Sequence, residues 1–202
     1  MKNRIIFATG NKGKIREITE ILADLGMEVV SMRDAGIEID IEENGTTYEE
    51  NAMIKARAVA ACAGENDIVM ADDSGLEIDY LNKEPGIYSA RYLGEQTSYR
   101  MKNKNLIERL NGVPDEKRTA RFVCAIAAVL PDGRELTARG TIEGRIGYEE
   151  RGKGGFGYDP IFYVPEFSKS TAELSEEEKN AVSHRGQALR LMEKELRKVM
   201  QR

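Results

Sequence analysis

The sequence has little of the side chains that build disulfides and nitrogen- or sulfur-based metal sites: two cysteines and one histidine in 202 residues. Cys62 and Cys124 each lie in an alanine-rich or apolar stretch. No spacing suggests a disulfide framework or a zinc site, so both are expected as buried free thiols. With His184 alone, a histidine-based metal site is excluded. No apolar run approaches the ~20 residues of a membrane span. Met1-Lys2-Asn3-Arg4 runs straight into an expected strand without a signal-peptide core. On that reading the protein is cytoplasmic, has no membrane partner, and carries Asn44-Gly45-Thr46 as a chance sequon. Net positive charge is also missing: 30 basic against 35 acidic side chains leave −5. That argues against nucleic acid as a partner, and any polyanion bound must meet locally concentrated cations.

What is present suits one domain of two lobes, with 41% hydrophobic residues to fill a core. Arg4 to Ala8 reads as a buried strand. Ile15, Ile18, Leu22 and Leu25 then mark a helix closed by Gly26, and Met27 to Ser31 a second strand. After the acidic stretch Glu38 to Glu43, Thr46 with Glu49 and Thr47 with Glu50 both have capping-box spacing before an alanine-rich helix. Ile68 to Ala71 reads as a strand running into Asp72-Asp73-Ser74-Gly75, and Tyr99 to Leu110 as a helix. Arg121 to Leu130 and Glu135 to Ile146, joined by Pro131-Asp132-Gly133, read as a long β-hairpin. Ser175 with Glu178 caps a further helix, and Leu189, Met192, Leu196 and Val199 mark the last one. The class is mixed α/β.

Four segments could carry chemistry. Thr9-Gly10-Asn11-Lys12-Gly13-Lys14 is a strand–loop–helix junction, where free N–H groups and the helix dipole favour an anion. It reads either as a phosphate site or as an ordinary helix entry with solvated lysines, and it is not a P-loop. Glu42-Glu43 and Asp72-Asp73 supply carboxylate oxygens of the kind Mg²⁺ needs; a solvated acidic loop is the bland reading of the former. Gly152-Lys153-Gly154-Gly155-Phe156-Gly157 matches a dinucleotide fingerprint in letters only, because Tyr158-Asp159-Pro160 and an apolar run follow instead of a helix. Phe156 and Tyr158 could offer faces for a base and Asp159 an acceptor, or the aromatics could anchor the loop. Lys179 and Ser183 could share a helix face, and a break with Ser183 as N-cap would place His184 and Arg185 in the next first turn.

Six runs in this order resemble the inosine triphosphate pyrophosphatase, or Ham1-type, family of non-canonical purine nucleotide pyrophosphatases. They are Phe7 to Lys14, Glu50-Asn51-Ala52, Ala71 to Leu76, Pro85 to Tyr92, Gly154 to Phe162, and Ser183 to Gly186. The resemblance implies two lobes around a long central mixed β-sheet with a nucleotide-binding cleft between them, and a homodimer. It implies hydrolysis of a purine nucleoside triphosphate such as inosine, deoxyinosine or xanthosine triphosphate to the monophosphate and pyrophosphate, with Mg²⁺. Asp73 would be the catalytic carboxylate, and Glu42 and Asp73 the metal ligands, with Glu43 the alternative in the same loop. Thr9, Gly10, Asn11, Lys12, Gly13, Lys14 and Ser74 would contact substrate. Phe156, Gly157, Tyr158, Asp159, Lys179, His184 and Arg185 would form the base pocket.

Overall fold

The structure, a computed structural model, describes residues 4–10 and 12–200. Asn11 lies outside the described residues, and of Lys12 and Gly13 only the backbone is described. The elements run β1 (Arg4–Phe7), α1 (Lys12–Ile21), β2 (Glu28–Ser31), α2 (Tyr48–Ala60), β3 (Ile68–Ile78), α3 (Tyr99–Arg109), β4 (Thr119–Val129) and β5 (Glu135–Ile146). Then follow β6 (Phe162–Val164), β7 (Lys169–Ser170), α4 (Glu176–Val182) and α5 (His184–Met200). The strands form one mixed seven-stranded sheet in the order β2-β1-β3-β4-β5-β6-β7. β1 is parallel to both β2 and β3, whereas β6 is antiparallel to β5 and β7. This is the expected mixed α/β class.

The chain divides into two compact units, one of Met1–Asp73, Cys124–Gly140 and Arg185–Arg202, the other of Ser74–Val123 and Thr141–His184. In the first, strand alternation sorts the helices. Ile5 and Phe7 of β1 and Ile68 and Met70 of β3 pack with Ile18 of α1 and with Ala188, Leu189, Met192 and Leu196 of α5. Ile6 and Val69, one residue out of phase, pack with Val59 of α2. The helices after β1 and before β3 therefore lie on opposite faces. The carboxyl end of β1 thus lies beside Met70, inside β3, at the kind of switch point where open α/β sheets bind ligands. Ala8 N–H extends the β1–β3 ladder to the Met70 carbonyl at 2.8 Å, two residues before Asp72.

The second unit packs Leu76, Ile78, Leu106, Leu110, Ile142, Ile146 and Phe162 around β4 and β5. Arg118, fully buried, donates to the carbonyls of Leu110, Ile146 and Gly147 at 2.6–2.8 Å and so stops the C-terminal end of α3. Gly144 is required by packing: a Cβ there would meet Phe162 Cζ and the Tyr163 carbonyl at 2.5 Å. Gly144→Ala should therefore cost about 1–3 kcal/mol, as overpacked sites do, measured by denaturant unfolding.

Local signals resolve as follows. Thr47, rather than Thr46, is the N-cap of α2, accepting from Glu50 N–H at 3.1 Å, while the Glu50 carboxylate turns back to the amide and hydroxyl of Thr46. Ser175 and Glu178 form a reciprocal capping box. The C-terminal helices break at Ser183, whose backbone is extended, so α5 begins at His184. The extended path expected over Ile68 to Ala71 and again over Leu76 to Ile78 is one unbroken strand, running through Asp72-Asp73-Ser74-Gly75 because both acids are met by cations and donors from the flanking helices. One expectation needs correction: Cys62 is exposed just past the end of α2, and only Cys124 is buried. Among the described residues no helix is long and apolar enough to cross a membrane.

Candidate active site

The two consecutive aspartates serve opposite faces of β3, as pleating demands. Asp72, 3% exposed, faces α1 and α5. Both its oxygens accept from Lys14 Nζ, at 2.9 and 3.1 Å, and Oδ2 also lies 3.3 Å from Arg185 Nε. Arg185, 4% exposed, places Nη1 3.0 Å from Glu17. Burial penalises the Asp72 charge, but Lys14 and Arg185 outweigh it and hold the carboxyl well below the usual range. Lys14 sits in the first turn of α1, a turn with no acidic residue. A cation there opposes the helix dipole, so its place is set by Asp72 and by an anion-favouring end rather than by helix preference.

Asp73 faces α2. Asn51, fully buried, donates Nδ2 to its Oδ2 at 3.1 Å and accepts from Gly45 N–H at 2.8 Å, tying the turn after the acidic stretch to the strand. Lys55, one turn on, lies 3.0 Å from Glu43 and 3.8 Å from Asp73. Burial pushes the Asp73 carboxyl up to about 6; Lys55 and Asn51 oppose that shift, and Glu43 and Asp72 add to it. Glu42 is exposed, and it is Glu43 that shares Lys55 with Asp73. Among the described residues no three His, Cys, Asp or Glu side chains converge on a metal-sized point. The protein would then offer two carboxylates, the sparse hard-oxygen set that suits a Mg²⁺ keeping waters and phosphate oxygens. Gly10 is exposed, with open space where a Cβ would stand, Thr9 N–H turns back to Phe7, and Ser74 is half-buried.

The second unit gathers the remaining residues. Asp159, 5% exposed, accepts from Phe156 N–H at 2.8 Å and Lys179 Nζ at 2.6 Å on one oxygen, and from Thr171 Oγ1 at 2.8 Å on the other. It thus clamps the glycine-rich loop. Gly155, at φ +72°, presses so closely on the Asp159 carboxylate that no side chain fits. Gly157 is also left-handed, and its carbonyl accepts from Asn103 at 3.3 Å. Phe156 is exposed, with Lys179 Nζ 5.2 Å from its ring centre. Tyr158 offers no free face: it is buried, edge-on to Tyr99, and its hydroxyl donates to the Ser89 carbonyl at 2.7 Å. His184 stacks on Phe122, centroids 5.0 Å apart, beside a cavity of about 10 Å³.

So Lys14 and Arg185 are gathered around Asp72 in the first unit, and Phe156, Asp159, Lys179 and His184 belong to the second. Asp72 and Glu17 engage the Nε and Nη1 of Arg185, the residue expected as a base-pocket donor. Sequence reasoning gave no role to Asn51, Lys55, Glu17 or Thr171. The signal for the first two was there: a buried-type polar residue and a lysine four apart share one face of α2.

A parallel β-α-β start that ends in paired acids and lysines, continued by an antiparallel hairpin, defines an α/β protein with charged residues gathered at its switch point. The chain belongs to the Ham1 family, whose model matches residues 5–195. It is 48% identical over 201 residues to a dITP/XTP pyrophosphatase of Clostridium perfringens, covering 98% of each chain. It is 51% identical to one of an Exiguobacterium species, covering 96% of each. Among solved structures, the Ham1 protein of Staphylococcus aureus superposes with a TM-score of 0.87 at 42% identity, over 96% of this chain and 98% of that one.

Proposed function

We propose that this protein hydrolyses non-canonical purine nucleoside triphosphates, those of inosine, deoxyinosine and xanthosine, to the monophosphate and pyrophosphate, clearing them from the cytoplasmic nucleotide pool. The relatives named dITP/XTP pyrophosphatase support the substrate class. The observation that carries the chemistry is Asp73, a half-buried carboxylate pushed up to about 6, beside a lysine and a second acid.

Asp73 with Glu42, or Glu43 in its place, would hold Mg²⁺, which supplies charge neutralisation to the phosphates and acidity to a bound water. Lys14 and the junction from Thr9 to Gly13 would take the triphosphate, and Ser74 would add a hydroxyl. Asp73 would either receive the proton of the water that attacks the α-phosphorus or act through the metal that acidifies that water. No covalent intermediate is called for; positioning and electrostatics do the work. Phe156 would stack on the base, with Lys179, His184 and the clamped loop from Gly157 to Asp159 shaping its edge contacts. The protein would act as a homodimer, and Tyr88, Leu93 and Met101, large apolar side chains left exposed in the second unit, support a partner surface.

Inosine triphosphate incubated with the enzyme in ¹⁸O-water should yield labelled monophosphate and pyrophosphate with no free orthophosphate. Excess chelator should abolish turnover and Mg²⁺ restore it. Diphosphate with orthophosphate, or equal hydrolysis of ATP and inosine triphosphate, would refute the reading.

A further inference from the structure

The geometry points to Phe122 as a positioning residue that fixes the plane of the His184 imidazole and, through it, the wall of the base pocket. The inference rests on the reading of this second-unit cluster as the pocket. Three rings are layered in order. Phe162, fully buried on β6, lies 4.3 Å from Phe122 at 38°, and Phe122 on β4 lies 5.0 Å from His184 at 21°. The rear of this ladder is tightly packed: Phe162 is fully buried, and Gly144 lies against the edge of its ring. The front is the first residue of α5, directly after the break at Ser183, so no earlier turn of that helix packs against the side chain. An imidazole has two soft torsions, and a flat partner stacked on it restricts both. Its two ring nitrogens meet a ligand only in that plane. Asp159, Thr171 and Lys179 close the same small cavity beside the ring, which holds about one water. The stack therefore sets how far the imidazole can turn, and Phe122 touches no reacting atom.

A role in shape filling predicts something different from a role in orientation, and two substitutions separate them. Phe122→Leu keeps an apolar side chain but removes the flat face; Phe122→Tyr keeps the face. For inosine triphosphate, Phe122→Leu should raise KM about 10-fold and leave kcat within about 2-fold, whereas Phe122→Tyr should restore KM, since loss of orientation costs binding in proportion to the freedom regained. The chain has one histidine, so its imidazole gives a single proton-resonance probe. In chelator, inosine triphosphate should shift that signal in wild type at about 10-fold lower concentration than in Phe122→Leu, and tripolyphosphate, which lacks a base, should not shift it. A Phe122→Leu enzyme with wild-type KM, or a Phe122→Tyr enzyme as impaired as Phe122→Leu, would overturn the inference. Failure of wild type to hydrolyse any purine triphosphate would instead refute the proposed function. The resonance titration would then still decide Phe122, against it if both proteins shift at one concentration.

Discussion

Asp73→Asn should lose at least ~10²-fold in kcat, the scale of removing a positioned acid–base group, while the protein stays folded. An amide can still accept from Asn51, and Lys55 retains Glu43 at 3.0 Å, so the loss reports chemistry rather than collapse. The pH profile gives an independent check. Burial raises the Asp73 carboxyl to about 6, so its ionised, proton-accepting form is present above that pH and lost as pH falls through it. The wild-type kcat/KM should accordingly decline with unit slope below about pH 6. Saturating Mg²⁺ should move that limb to lower pH, because a nearby cation favours the ionised form. The Asp73→Asn enzyme should lack the limb. An acid limb retained in the Asp73→Asn enzyme, or a variant with full activity, would remove Asp73 from the mechanism.

Arg185→Ala should destabilise the protein by about 3–5 kcal/mol, the cost of breaking a buried pair by deleting one partner. Asp72 is 3% exposed and would lose its contact at 3.3 Å while keeping Lys14; Glu17 would lose its contact at 3.0 Å. The sequence suggests Arg185 as a reader of the purine edge, and on that view its loss would narrow the lead of inosine triphosphate over ATP without unfolding anything. The two views separate cleanly in a denaturant titration run beside the substrate panel. A variant of wild-type stability with altered base preference would reject the structural assignment. A destabilised variant whose folded fraction keeps its preference would support it.

The legible part of this protein was whatever local chemistry dictates. Periodicity placed the helices, Ser175 with Glu178 announced a cap, and the turn Pro131-Asp132-Gly133 announced the hairpin. The junction from Thr9 to Lys14 could be recognised because its glycines and lysines are contiguous. What escaped depends on pairs distant in sequence. Asp72-Asp73 reads as one acidic doublet, yet a strand sends the two side chains to different helices, one to Lys14 and Arg185, the other to Asn51 and Lys55. Tyr158 reads either as a base-stacking face or as a loop anchor, and it is Ser89, far away in the chain, that decides for the anchor by taking its hydroxyl into the core. Cys62 lies in an alanine-rich stretch but just past the end of α2, where that composition no longer implies burial.

The chain crosses between its two units at Asp73, Val123, Gly140 and His184, so neither is a continuous stretch. The core around Ile5 and Phe7 includes Ala188, Leu189, Met192 and Leu196. During synthesis the first strand must therefore wait for the last helix before its apolar face is covered. Long loops have to close before these contacts reward the chain, which makes for high contact order and slow folding. Truncated or ribosome-bound chains ending before Arg185 should bind chaperones and fail to resist proteolysis over β1 to β3. Acquisition of protease resistance there should coincide with release of α5.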